Sequence, residues 1–248
     1  METPESIWYA CYGSNLRFER LRCYLRGGTP EGSTGGQPGA LDAADPTDNA
    51  DVSTNWTLSF ARESANWGGQ GVAFLSAPSG ETLRPELSEV LAGQGTLCRV
   101  YQLTFAQFLD VLLQENDCDP RSFPEVRETV RQLLVRSVPN ATLGHSFDLP
   151  VGVLADGWYR RVVRLGQHQG EPVFTFTTDR DLPRNPPAPA YLRVMALGLF
   201  QTYRQLTAAQ IGAYLARTSG LPADAIAALT QAAEVEHQTR TRLVSEAP

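Results

Sequence analysis

The chain of 248 residues contains no lysine; all 21 of its basic side chains are arginine. That absence excludes P-loop nucleotide hydrolysis, pyridoxal Schiff-base chemistry, lysine-dependent aldol chemistry and a typical protein kinase site, each of which needs an ammonium group. Cysteine is scarce too. Cys11, Cys23, Cys98 and Cys118 form no Cys-x-x-Cys pair, which excludes a zinc knuckle or a thioredoxin-type dithiol and predicts buried, reduced thiols. The histidines, His145, His168 and His237, share no metal-binding spacing and the glycines at 68, 69 and 71 complete no dinucleotide fingerprint, so neither a metal nor such a cofactor is expected. No apolar run approaches the roughly 20 residues of a membrane helix. The N-terminal segment also lacks the basic and apolar regions of a signal peptide. A cytoplasmic location without a membrane partner is therefore expected. A net charge of −6 and no arginine cluster argue against nucleic-acid binding.

What is present suits one large domain or a core with an appendage, and 42% hydrophobic residues suffice for a sizeable core. Ile7 to Cys11 reads as a buried strand and Leu16 to Leu25 as a helix ending at Gly27-Gly28. Residues 27 to 54, dense in Gly, Pro, Asp and Thr, read as a long surface loop. Strands are expected at Trp56 to Phe60, Gly71 to Leu75 and Leu97 to Leu103, and an antiparallel pair at Trp158 to Leu165 and Val173 to Thr178. Residues 76 to 94 form a polar insertion with a helical turn. Thr104 is placed to cap a helix on which Phe105, Phe108, Leu109, Leu112 and Leu113 share one face. A second helix is expected over Phe123 to Val135, and two more from Thr207 onward, broken at Gly220-Leu-Pro222. The mixture implies an α+β fold around a mixed or antiparallel sheet, read as a small barrel with flanking helices and a helical tail.

Two places could carry chemistry. Glu115 lies about 20° from Phe108 and about 40° from Val111 on a helical wheel, in line with the apolar stripe, whereas Asp110 and Asp117 fall on the opposite, solvated side. A carboxylate continuing a buried stripe is desolvated, and its pKa rises toward that of a general base at neutral pH. The alternative is a helix-end Glu reaching solvent. The turn Tyr12-Gly13-Ser14-Asn15 joins strand to helix, and its backbone N–H groups could cradle an anion, with Gly13 permitting close approach. The alternative there is an ordinary capped turn. Trp67 and Trp158 belong either to a pocket or to the core.

In combination these segments resemble the γ-glutamylcyclotransferase family. Tyr12-Gly-Ser-Asn-Leu16 matches its loop signature, and Trp67-Gly-Gly-Gln-Gly-Val-Ala resembles its aromatic-Gly-Gly segment. Leu109-Asp-Val-Leu-Leu-Gln-Glu-Asn resembles the helix that ends in the catalytic acid/base, putting that role on Glu115, with Asn116 where the family has Gly. Pro187-Ala-Pro-Ala-Tyr191 is similar to a Pro-Ser-Pro-x-Tyr segment whose Tyr contacts substrate. The resemblance covers about residues 6 to 200, so the domain is set at 1–202, with 203–248 as a helical extension packed on it. Cys11 in place of Ala, the insertion at 76–94 and the extension depart from the pattern.

The resemblance implies cyclisation of a γ-glutamyl amide to 5-oxoproline with release of the amine. Glu115 would act as acid/base, and Tyr12, Gly13, Ser14, Asn15, Leu16 and Tyr191 would bind the small-molecule substrate. Two other functions stay open, a γ-glutamyl or acyl transferase or amidohydrolase of a bacterial biosynthetic pathway, and a non-catalytic binding module. The leaving amine and the oligomeric state are not readable from the sequence.

Overall fold

The computed structural model describes residues 5–78, 85–137, 146–150, 152–154 and 157–245. His145 and part of the 76–94 insertion lie outside them.

An apolar run buried on both faces belongs in the middle of a sheet, and Ile7 to Cys11 sits there. Strand β1 (Ser6–Cys11) pairs antiparallel with β5 (Thr96–Thr104), Tyr9 opposite Tyr101, and parallel with β8 (Glu171–Thr177), Trp8 opposite Val173. With β2 (Asn49–Thr54), β6 (Ser146–Asp148) and β7 (Arg161–His168), the order is β2-β5-β1-β8-β7-β6. The expected C-terminal hairpin forms as β7 and β8, its first strand displaced toward His168. Strands β3 (Thr57–Ser64) and β4 (Gln70–Ser76) make a separate hairpin, Phe60 opposite Ala73.

The fold is α+β, as expected, but the barrel is not closed. Among the described residues no ladder joins edge strands β2 and β6 or joins the hairpin to the sheet. Strand β2 is polar and half-exposed and β6 is three residues long, so neither edge offers a long apolar strand for closure. The hairpin instead docks across the C-terminal end of β8. The Thr177 hydroxyl accepts from the Leu75 N–H and donates to the Leu75 carbonyl, each at 2.9 Å. Strand β2 also corrects the reading of 27–54 as loop throughout. Its sequence, NADVST, has no apolar alternation, and its strand conformation comes from the ladder with β5.

Helices α1 (Phe18–Arg26), α2 (Leu87–Leu91), α3 (Phe105–Gln114), α4 (Pro124–Ser137), α5 (Pro189–Thr202), α6 (Ala208–Ser219) and α7 (Ala223–Ser245) pack around the sheets. Thr104 and Gln107 start α3 with reciprocal bonds of 3.1 Å, a capping box. Gly220, at φ 70°, ends α6 in the left-handed region. The Tyr203 hydroxyl accepts from the Cys98 N–H at 3.2 Å, and that of Tyr214 accepts from the Leu97 N–H at the same distance, tying α5 and α6 to β5.

Asp110 corrects another expectation. It is fully buried, accepting from Arg127 Nε at 2.6 Å and from the Leu41 N–H at 2.9 Å. The wheel of α3 shows which residues face the sheet, but a second layer, made by α4 and the 27–48 segment, covers the other side.

Helix α5 reaches the sheet by backbone approach. A Cβ on Gly198 would collide with the backbone of Leu16 and Arg17, just past the 12–15 turn. Gly198→Ala is expected to lower stability by about 1–3 kcal/mol by overpacking, outweighing the better helix propensity of alanine. The denaturant midpoint checks this, and an unchanged midpoint would mean that the two chains separate at no cost.

Candidate active site

A cavity of about 310 Å³ opens at the C-terminal ends of β1 and β8, walled by the β3–β4 hairpin, α1 and the end of α3. The chain leaves β1 at Cys11 and turns through a 3-10 segment, Ser14–Leu16, into α1. The turn is pinned from α5. The Tyr191 hydroxyl accepts from the Ser14 N–H at 3.3 Å and from the Ala73 N–H at 3.2 Å. Gly13 is required by that contact, because a Cβ there would stand 2.6 Å from the hydroxyl oxygen. Edge-on packing against Trp67 and Phe60 fixes the Tyr191 ring.

Glu115 follows the last residue of α3 and donates its N–H to Val111 O at 2.9 Å. Its neighbours aim it. Gln114 donates to Tyr24 O at 2.9 Å and accepts from the Gly39 N–H at 3.1 Å. Asn116 donates to Leu112 O at 2.8 Å and accepts from the Tyr159 N–H at 2.9 Å, so this replacement of Gly clamps the helix end to the segment entering β7. Between these clamps the Glu115 carboxylate lines the cavity and accepts from Asn15 Nδ2 at 2.8 Å. The Tyr24 hydroxyl lies beside it and favours its charged form. Burial pushes the Glu115 pKa up. The Arg20 guanidinium, the Tyr24 hydroxyl and the hydrogen bond from Asn15 oppose the rise, Asp117 adds to it, and the net direction is upward.

Tyr12, Gly13, Ser14, Asn15, Glu115 and Tyr191 all line this one cavity, and so do Trp67 and Trp158. Leu16 does not. Its side chain is in the core and its carbonyl accepts from Arg99 and Tyr101. The Tyr12 hydroxyl is engaged by Phe176 O at 2.7 Å. Cys11 is buried at the cavity floor, its thiol pKa pushed up by burial. Asp117 lies at the rim, exposed, at φ 56°. Among the described residues no group of three or more His, Cys, Asp and Glu side chains could hold a metal ion.

Arg20 and Tyr24 escaped the sequence reading as site residues. Arg20 is 5% exposed, donates to the Tyr24 hydroxyl at 3.1 Å and lies over the rings of Tyr24 and Trp67. Its Nε and Nη1 have no hydrogen-bond partner, and it makes no ion pair with any described residue. The available signal was spacing. Arg20 stands one turn before Tyr24 on the inward side of α1, the same kind of evidence that singled out Glu115.

No family model matches the chain. It is 30% identical over 226 residues to histone deacetylase 5 of Arabidopsis thaliana. That match takes in 87% of this chain and 31% of the plant protein, so the chain spans about a third of the length of this curated relative. Among solved structures it is similar to a γ-glutamyl cyclotransferase, at 15% identity over 91% of this chain and 86% of that one, with a TM-score of 0.36. It is also similar to an uncharacterized protein from Homo sapiens, at 16% identity over 91% and 87% of the two chains, with a TM-score of 0.34. Overlaps this low add nothing to the geometry above.

The raised Glu115 pKa has a consequence for stability. The folded chain holds this proton more tightly than the unfolded chain. Glu115 therefore contributes stability that is complete below its ordinary value of 4.5 and is lost as pH rises through the raised value. Glu115→Gln, neutral throughout, should show a melting temperature that gains on wild type from pH 4.5 upward and then levels off. Calorimetry from below pH 4.5 to neutrality tests this, and a pH-independent difference would mean that Glu115 is not desolvated.

Proposed function

We propose that the chain is a γ-glutamylcyclotransferase-like enzyme that closes a γ-glutamyl amide into 5-oxoproline and releases the amine. The observation that carries this reading is the 2.8 Å hydrogen bond between Asn15 and Glu115 in the cavity wall. Two motifs a hundred residues apart, each tied to this chemistry by resemblance, meet there.

The reaction needs an α-amine freed of its extra proton, a folded glutamyl chain and a donor for the charge that develops on the γ-carbonyl oxygen. Glu115, with a raised pKa, accepts the proton from the α-ammonium. The amine nitrogen then attacks the γ-carbonyl carbon and forms the five-membered ring. Glu115 returns its proton to the departing nitrogen as the tetrahedral intermediate collapses, and the second proton of the ring nitrogen passes to the released amine, which leaves as an ammonium. Ring closure is intramolecular, so an enclosed cavity that holds the chain bent supplies much of the acceleration. The backbone N–H groups of Gly13 and Asn15 are the donors assigned to the developing oxyanion. That of Ser14 is committed to the Tyr191 hydroxyl and acts by fixing the turn. Trp67, Tyr191 and Tyr159 give the glutamyl methylenes an apolar wall. Every step uses side chains and amides of this chain alone.

The test is incubation with a panel of γ-glutamyl compounds, glutathione included, with mass spectrometry of the products. Wild type should yield 5-oxoproline from at least one member. Glu115→Gln should lose about 100- to 10,000-fold in rate, the usual worth of a general acid/base, while still binding that substrate. Free glutamate as product would mean hydrolysis, a γ-glutamyl adduct would mean transfer, and undiminished turnover by Glu115→Gln would remove this mechanism.

A further inference from the structure

We propose that Arg20 is the carboxylate anchor of this cavity and that, with Glu115, it receives the two charged groups of an α-amino acid head. The identity of that head rests on the cyclotransferase reading; the demand for an anion rests on Arg20 itself.

Four arginines are buried among the described residues: Arg17, Arg20, Arg99 and Arg160. Arg17 pairs with Glu19 and Glu31, and Arg160 pairs with Asp179. Arg99 donates to Asn49, Gln201 and the Leu16 carbonyl. Arg20 is given only the Tyr24 hydroxyl, with Nε and Nη1 left unpartnered. A buried charge without a counterion is costly unless something else compensates it. Arg20 also lines the cavity, where it is the only cation among the described residues, so an anion has a way in.

The pairing with Glu115 selects the ligand. The Tyr24 hydroxyl accepts from Arg20 at 3.1 Å and lies beside Glu115, so a cation and a carboxylate share one wall of the cavity without an ion pair between them. An α-amino acid carries its ammonium and its carboxylate on one carbon. With the carboxylate at Arg20, the amine falls toward Glu115, where the proton must go. The stacking rings of Tyr24 and Trp67 hold the guanidinium plane while it waits. The substrate class is thereby narrowed to γ-glutamyl compounds with a free α-carboxylate, and α-amidated or α-esterified analogues are excluded.

Calorimetric binding of 5-oxoproline, of its carboxamide and of acetate, to wild type and to Arg20→Met, tests this. Wild type should prefer the acid to the amide by about ten- to a hundredfold, as for hydrogen bonds to charged groups. Arg20→Met should bind the two equally, because the acid has lost the group that distinguishes it from the amide. Should Arg20→Met fail to fold, Arg20→Lys keeps the charge but not the fork. It should retain a reduced preference for the acid. A preference retained in Arg20→Met, no preference in wild type, or no binding of any carboxylate overturns the anchor. Acetate separates the two readings. Acetate bound by wild type but not by Arg20→Met, with 5-oxoproline no tighter than acetate, would keep the anchor and remove the cyclotransferase assignment.

Discussion

The site depends on one oxygen atom. The Tyr191 hydroxyl accepts backbone N–H groups from Ser14 and Ala73, and so joins the start of α5, the turn after β1 and strand β4 at a single point. Both amides would otherwise be buried donors without acceptors, and satisfying them with one rigid ring leaves little freedom to the segments that carry them. Gly13 follows from this arrangement, since any side chain there would push the hydroxyl away. Gly198 follows as well, because α5 must lie against the backbone of Leu16 and Arg17 for its first turn to deliver Tyr191. With the turn fixed, Asn15 has one direction in which to reach, and Glu115 is there.

On that scaffold two opposite charges are placed beside one cavity. A carboxylate and a guanidinium face one cavity, both largely enclosed, and the fold denies them each other. The Tyr24 hydroxyl accepts from the guanidinium and lies beside the carboxylate. Elsewhere the chain does the opposite. Asp110 is fully buried but given Arg127 and a backbone amide, and Arg17 is given two carboxylates. Where this protein wants a buried charge only for structure it supplies a partner. Among the described buried arginines, Arg20 is the one with two guanidinium nitrogens left open beside a cavity.

Much of this was legible in the residues, for identifiable reasons. The apolar run at Ile7 to Cys11, the capping pair Thr104 and Gln107, and the break at Gly220 are local signals, and local chemistry suffices to read them. Glu115 was legible because a helical wheel converts sequence into direction. Strand β2 was not, because its polar residues become a strand only through the ladder with β5. The open sheet was hidden for a related reason, since closure depends on whether two distant edges are long and apolar enough to pair. Asp110 was misread because a wheel has one inside, whereas α3 lies between two layers. Arg20 was passed over because arginine on a surface helix is ordinary, and only three-dimensional packing shows that this one is buried without an ion pair among the described residues.

The placement of Glu115 joins the fold to the chemistry. A helix C-terminus carries partial negative charge and favours cations, so an acid immediately after the last residue of α3 is poorly chosen for helix stability. The chain nevertheless spends two side chains, those of Gln114 and Asn116, on clamping the residues either side of it. Both the helix end and the low-polarity wall favour the protonated acid, while Asn15, Tyr24 and Arg20 favour the carboxylate. The net result is a carboxyl group that holds its proton more tightly than a solvated glutamate does. That is the property a group must have if it first accepts a proton from an amine and then donates it to another nitrogen within one turnover.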